Sequence, residues 1–171
     1  MRQLTGGIAV NCEDRSEIAV RVRPLAKLAL TAALTLALGC SGPFIMLPGG
    51  ALSGTLAAHP SDWAFSDATE NVQLETRPSD PYSVNIWGVG VGEQFFVASG
   101  RGLEAAWAQH IADNPNVRLR IEGTIYELSA VQTQEEADRA AFLTAAKKKY
   151  DNFEPDEEEA STATLYRLEA R

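Results

Sequence analysis

Asn116-Val117-Arg118-Leu119-Arg120-Ile121-Glu122-Gly123, continued by the run from Ile125 to Val131, decides the fold. Val117, Leu119 and Ile121 alternate with Arg118, Arg120 and Glu122, a period of two that gives a strand one buried and one wet face. Gly123 turns the chain, and the run to Val131 returns as the partner strand. The same period begins at Asn71, where Val72, Leu74 and Thr76 alternate with Gln73, Glu75 and Arg77. Pro78-Ser79-Asp80-Pro81 then bends the chain, because proline fixes φ and removes a backbone donor. Tyr82 to Val91 reads as one strand, with Val84, Ile86 and Gly88 on one face and Ser83, Asn85, Trp87 and Val89 on the other. Gly92-Glu93 closes a hairpin to Gln94 through Ser99.

Two helical patterns interrupt the strands. From Leu103 to about Asp113, Leu103, Ala106, Trp107, His110 and Ile111 recur at three and four residues, which is first of all a core face; Asn114-Pro115 ends it. Thr133-Gln134-Glu135-Glu136 matches a capping box, in which hydroxyl and carboxylate each satisfy a free backbone donor. The helix it opens is expected to run to about Tyr150, packing through Ala137, Ala141, Phe142 and Ala145. Lys147, Lys148 and Lys149 sit where the helix dipole favours cations. Asp151 to Ser161 reads as an acidic loop and Thr162 to Leu168 as a closing strand. The expectation is a mainly β (α+β) domain, a small barrel of six antiparallel strands with two inserted helices, because closure removes exposed edges. A two-layer α+β sandwich is the alternative.

The N-terminal part reads as export machinery. Arg21-Val22-Arg23-Pro24 leads into the apolar run Leu25 to Leu38, which holds one charge, Lys27. As a helix those residues span about 21 Å, short of the roughly 30 Å hydrocarbon core, so a signal peptide fits better than a membrane span. Leu36-Ala37-Leu38-Gly39-Cys40 resembles the bacterial lipobox, whose cysteine thiol receives diacylglycerol before the leader is cut away. An ordinary secretory signal, or a buried cysteine in an apolar helix, is the other reading. Ser41 after the cysteine resembles the pattern sent to the outer membrane. Residues 1 to 20, with Cys12 and mixed charges, do not suit a signal's short basic start, so initiation is expected near Val20 or Val22. The expected division is a removed extension and signal over 1–39, a lipidated tether over 40–54, and one domain over 55–171.

The part from Cys40 onward carries ten Lys and Arg against twenty Asp and Glu, a net charge of −10. Such a chain disfavours nucleic acid and anionic lipid surfaces, because phosphate counterions are displaced by positive charge. Cys40 is its only cysteine, which leaves no disulfide framework and no free thiol nucleophile if lipidated. His59 and His110 lack metal-ligand spacing, so no metal site is expected. The acidic run Glu154 to Glu159 has no glycine-marked loop and reads as solvated. No nucleophile elbow or phosphate-cradling Walker loop is visible. Phe44 to Leu47 are apolar enough for part of the tether to pack on the domain, and Trp63 and Phe65 are expected to plug one end of the barrel.

The runs Gln94-Phe95-Phe96-Val97-Ala98-Ser99, Arg101, Trp107, Asn114-Pro115-Asn116-Val117 and Arg118-Leu119-Arg120-Ile121-Glu122-Gly123 resemble the FMN-binding split β-barrels. The group includes pyridoxamine 5′-phosphate oxidase-like and deazaflavin-dependent nitroreductase-like proteins. Lys148-Lys149-Tyr150 and Ala163 to Leu168 resemble an uncharacterised lipoprotein branch of it. The likeness spans roughly residues 65 to 171. It implies FMN or a deazaflavin as cofactor, a flavin- or deazaflavin-dependent oxidoreductase if the protein is an enzyme, and a homodimer. A flavin phosphate wants a cation and backbone donors, and Ser99 through Gly102 at a helix start offer a hydroxyl, a flexible backbone, Arg101 and the dipole's positive end. By resemblance Ser99 and Arg101 become phosphate contacts, with Arg77 reaching a further oxygen. Trp87 and Trp107 would flank the ring, or else serve as core. Arg101 and Arg77 could equally pair with nearby carboxylates. Gln73 and Glu75 depart from the pattern, standing where phosphate-binding cations would be expected.

Two functions follow as expectations. One is a membrane-anchored lipoprotein, at the outer membrane facing the periplasm, whose barrel binds a flavin-like or related ligand such as haem and uses it in redox chemistry. The other is a non-catalytic envelope protein that binds a small molecule or a protein partner without a cofactor.

Overall fold

A computed structural model describes residue 43 and residues 47–156 and 161–171; the signal and lipidation site read at Cys40 lie outside the described residues. In chain order the strands are β1 (Thr55–Ala57), β2 (Val72–Thr76), β3 (Tyr82–Ile86), β4 (Gly88–Val91) and β5 (Gln94–Ser99), then β6 (Asn116–Ile121), β7 (Thr124–Thr133) and β8 (Thr164–Ala170). Helix α1 (Ala106–Asp113) lies between β5 and β6, and α2 (Glu136–Lys149) between β7 and β8. Short 3-10 turns occupy Ala64–Ala68 and Gly102–Glu104.

The sheet runs β3-β2-β6-β7-β8-β5-β4, every neighbour antiparallel. Its two outermost strands are consecutive in sequence, separated only by Trp87. Two residues span at most about 7 Å, so the far edges must meet at that point and the sheet must curl. This is a split barrel with two inserted helices, not the two-layer sandwich. Described strands number eight against the six expected. The run Tyr82 to Val91 breaks at Trp87 into two, and β1 forms in a segment read without a strand. The β7–β8 pairing covers Leu128 to Thr133, leaving the first residues of β7 open on that side. There β1 adds as a parallel partner, Thr55 opposite Thr124 and Ala57 opposite Tyr126.

The alternation read in β6 holds through its whole length, with Val117, Leu119 and Ile121 buried. They join Trp63, Leu74, Phe95, Leu128, Tyr166 and Leu168 in the barrel interior, which Trp107, Ala108 and Ile111 of α1 close. A second cluster forms where Phe142, Ala145, Ala146 and Tyr150 meet Val89, Phe96 and Leu165. Trp63 is fully buried, its ring 4.9 Å from those of both Phe95 and Tyr126. Gly90 makes room for it: a Cβ there would fall 2.4 Å from that of Trp63. Phe65 stacks on Trp63 but stays half-exposed.

Three local expectations change. Leu103 belongs to the 3-10 turn before α1 and is exposed, because Ala105 takes an extended conformation between the two turns. The capping box does not form. Glu135 is the N-cap residue without a side-chain bond, and the Thr133 hydroxyl donates to the buried carboxylate of Asp138 at 2.7 Å. Arg167 of β8 completes that pair and also bonds Glu169, so a charge-assisted network replaces the box. The packing stripe of α2 also shifts, with Ala146 buried and Ala137 exposed.

Of the segment read as tether, Phe44, Ile45 and Met46 lie outside the described residues and Leu47 is exposed, while the stretch from Gly49 to Leu52 packs on the sheet. Gly49 and Ser83 exchange backbone bonds of 2.8 Å, and the Ser83 hydroxyl donates to Gly50 O. Leu52 is buried, and its N–H donates to the carboxylate of Glu75. Arg118 clasps the same corner, donating to Leu52 O at 3.2 Å and to both oxygens of Glu75 at 3.1 Å.

Candidate functional site

The chain breaks regular structure where β5 ends. The hydroxyl of Ser99 is buried and donates to Gly102 O at 2.7 Å, tightening the loop that carries Arg101. Gly102 sits at φ +52°, a conformation costly for other residues. Arg101 projects from this loop, exposed, and among the described residues its guanidinium makes no hydrogen bond or ion pair, Glu104 included. Just beyond the 3-10 turn, α1 starts at Ala106 with no side-chain cap on its N-terminus. Ala108 and Gln109 donate back to Ala105 O, and the N–H groups before them have no side-chain acceptor among the described residues, at the end where the helix dipole favours an anion.

Two grooves meet at this loop. The first, of about 440 Å³, is open and bounded by Tyr82, Ile86 and Trp87 on one side and by Ser99, Arg101 and Ala105 to Trp107 on the other. The second, of about 390 Å³, lies between the sheet and α2, lined by Phe142, Leu143, Phe153, Ala163 and Leu165 with Arg139. Trp87, Ala98, Gly100 and Arg101 border both.

Trp87 is the wall between them, and its environment explains the strand break. One face of the indole stacks on Tyr150 at 4.6 Å and 16°, with Phe153 edge-on at 6.2 Å, yet 45% of the residue remains exposed. Beside it, the Tyr150 hydroxyl accepts from Gly88 N at 2.9 Å and lies 3.0 Å from the carbonyls of Gly88 and Glu70, to either of which it can donate. Lys149 Nζ donates to the carbonyls of Ser66 and Gly88 at 2.8 Å. Side chains thus satisfy backbone groups that a continuous strand would have paired. Burial lowers the Lys149 ammonium and raises the Tyr150 phenol from their ordinary values, as desolvation disfavours each charged form.

Of the residues singled out in the sequence, Trp87, Ser99, Arg101 and Trp107 border the same open groove. Their side chains differ in availability. The indole of Trp107 is 8% exposed and packs against Tyr166, so the groove meets its edge and backbone more than its face. The Ser99 hydroxyl already has its acceptor. Arg77 lines neither groove: it pairs with Asp80 at 3.1 Å and lies over the Tyr82 ring. His110 is half-buried, its Nδ1 3.0 Å from Thr76 Oγ1, with Tyr82 edge-on. Glu75 and Gln73, which stood against a phosphate reading, face Arg118 and Arg120 instead; neither borders the Arg101 grooves. Arg139, Leu143 and Phe153 went unread. Arg139, Phe142 and Leu143 share one helix face at i, i+3 and i+4, a signal the sequence does hold.

Over residues 64–167 the chain matches the model of a family described as "Uncharacterized protein conserved in bacteria (DUF2255)". The chain belongs to this family. No curated protein matches it. Among solved structures, the conserved hypothetical protein Rv2991 from Mycobacterium tuberculosis is 15% identical, with 63% of this chain and 76% of that one aligned at a TM-score of 0.51. An F420-H2 dependent reductase (FDR-A) is 15% identical over 59% of this chain and 95% of its own, at 0.49. A putative pyridoxamine 5′-phosphate oxidase from Listeria innocua is 13% identical over 61% and 86%, at 0.46. At such identities the likeness is one of fold, and the fold is the split barrel that the sequence resembled.

Proposed function

We propose that this DUF2255 domain binds a planar, anion-bearing ligand of the flavin or deazaflavin type in the open groove between Trp87 and α1. The observation that carries the reading is an Arg101 without a partner among the described residues, beside a helix N-terminus with no side-chain cap, in one groove with a half-exposed indole. A phosphate there would receive a charge-assisted bond from Arg101 and backbone donors from the start of α1. Gly100, exposed and without a side chain, lets such a group approach the loop. The Ser99 hydroxyl acts as a positioning group, holding the loop through Gly102 O. The free face of Trp87 covers one side of a flat ring, while Tyr150 and Phe153 fix its orientation from behind. The ligand itself would supply hydride or electron transfer. On this reading the protein is anchored through a lipid on Cys40 at the outer membrane, facing the periplasm, and works as a homodimer.

Titrating FMN and a deazaflavin into the purified protein, with absorbance followed between about 350 and 460 nm, tests the reading because the cofactor supplies the chromophore. Saturable binding that Arg101→Ala weakens is the expected result. Binding unaltered by Arg101→Ala sinks it. A second reading, an envelope protein that binds a small molecule without a cofactor, is favoured by one observation: the Trp107 ring and Ser99 hydroxyl are already engaged inside the protein. It predicts no titration by any flavin.

A further inference from the structure

The groove behind Trp87 differs in kind from the one in front. Its walls are the apolar side chains of Phe142, Leu143, Phe153 and Leu165, with Trp87 at the border, and none of its lining residues among the described ones is acidic. The charged lining residues among the described ones, Arg101 and Arg139, are both cations, in a chain whose net charge is −8. Arg139 directs Nη2 to Ala163 O at 3.4 Å. Arg101 makes no hydrogen bond or ion pair among the described residues. The volume of about 390 Å³ falls within the range of pockets that enclose small ligands, roughly 300–1,000 Å³. Phe142, Leu143 and Phe153 are each only partly covered by the protein, so an apolar guest would remove further apolar surface from water.

We propose that this groove is a second binding site, for an elongated apolar molecule with a single anionic head, such as a medium-chain carboxylate. The apolar body lies between α2 and the β5–β8 face, against Phe142, Leu143 and Phe153. The head meets Arg101 at the point where the two grooves join. The site does not depend on the flavin reading, since of its apolar walls only Trp87 and Ala98 border the open groove. It does predict a link, because both guests would seat an anion on Arg101 and so compete for it.

Decanoate and decanol serve as probes, titrated by calorimetry into the full chain below their aggregation limits. Decanoate is expected to bind at least about tenfold more tightly than decanol, since a charge-assisted bond contributes about 1.5–3 kcal/mol. Arg101→Ala, at an exposed position outside either core cluster, should erase that preference and leave decanol unchanged. Leu143→Trp, filling the groove, should abolish decanoate binding yet leave the FMN titration intact. Equal affinity for the two probes, or a preference that survives Arg101→Ala, overturns the proposal whether or not Leu143→Trp folds. FMN binding without decanoate binding defeats only this site, and decanoate binding without FMN defeats only the flavin reading.

Discussion

Arg118 and Arg101 are the same side chain in opposite circumstances. Arg118 projects from β6 onto a carboxylate that is 3% exposed and also holds the Leu52 carbonyl, so its charge is absorbed in fastening the 47–57 segment to the sheet. Arg101 has a loop built to present it, with Ser99 and Gly102 engaged in the loop's own turn, and forms no ion pair among the described residues. The two tryptophans divide the same way. Trp63 is sealed among aromatic rings over a glycine, whereas Trp87 interrupts a strand and keeps nearly half its surface in solvent. A cation without a partner among the described residues and an indole that keeps one face in solvent lie beside one groove, and packing accounts for only the stacked side of the indole.

The strongest test of that division is Trp63→Ala against Trp87→Ala. Removing a fully buried Trp should cost about 3–5 kcal/mol. Trp87→Ala should cost about 1 kcal/mol, chiefly its stacking on Tyr150. Urea midpoints of the two variants measure both, and equal losses would erase the distinction. Next in size is Glu75→Ala. It leaves the Leu52 N–H without its acceptor and Arg118 with only Leu52 O, and because Arg118 is itself partly exposed the cost is expected at about 2 kcal/mol, below that of a fully enclosed pair. Arg101→Ala should stay within about 0.5 kcal/mol of the parent, as at other surface positions, while weakening FMN about tenfold or more. An Arg101 variant that unfolds as readily as the Glu75 variant would move Arg101 into the architecture.

The barrel was legible because strands advertise one face at a time. β6 reads correctly from its first residue to its last, since Val117, Leu119 and Ile121 need only the period of two. The break at Trp87 was not legible. Nothing local in Tyr82 to Val91 says that Lys149 and Tyr150, some sixty residues away, will take over the backbone groups of Gly88. The failed capping box has a similar cause, since Asp138 and Arg167 outcompete Glu136 for Thr133, and Arg167 comes from the last strand. The loop from Ser99 to Gly102 could be read from residue types alone. The apolar groove behind it could not, because the face Arg139-Phe142-Leu143 gains meaning only once α2 is laid beside Trp87 and Phe153. Glu75 shows the converse, a residue weighed against ligand binding that turns out to bind its own chain.

The smallest expected effect concerns pH and sorts Arg77 with Arg118 instead of Arg101. His110 lies below its ordinary value, first through burial and then through the charge of Arg77, while Asp113 and Asp80 pull the other way. Folded His110 therefore resists a proton that the unfolded chain accepts. Well above pH 6.5 both states are neutral at this ring and it adds no pH dependence; as pH falls through that value the unfolded state binds more protons and stability declines until the folded ring also titrates. Urea midpoints at about pH 7.5 and about pH 5.5 should drop less between the two for His110→Gln than for the parent. Arg77→Met should shrink the parent's drop, because it removes the second cause of the lowered value, and should leave FMN binding unchanged. A loss of FMN affinity in Arg77→Met would return that arginine to the ligand site, and the contrast between paired and unpaired cations would have to be redrawn around it.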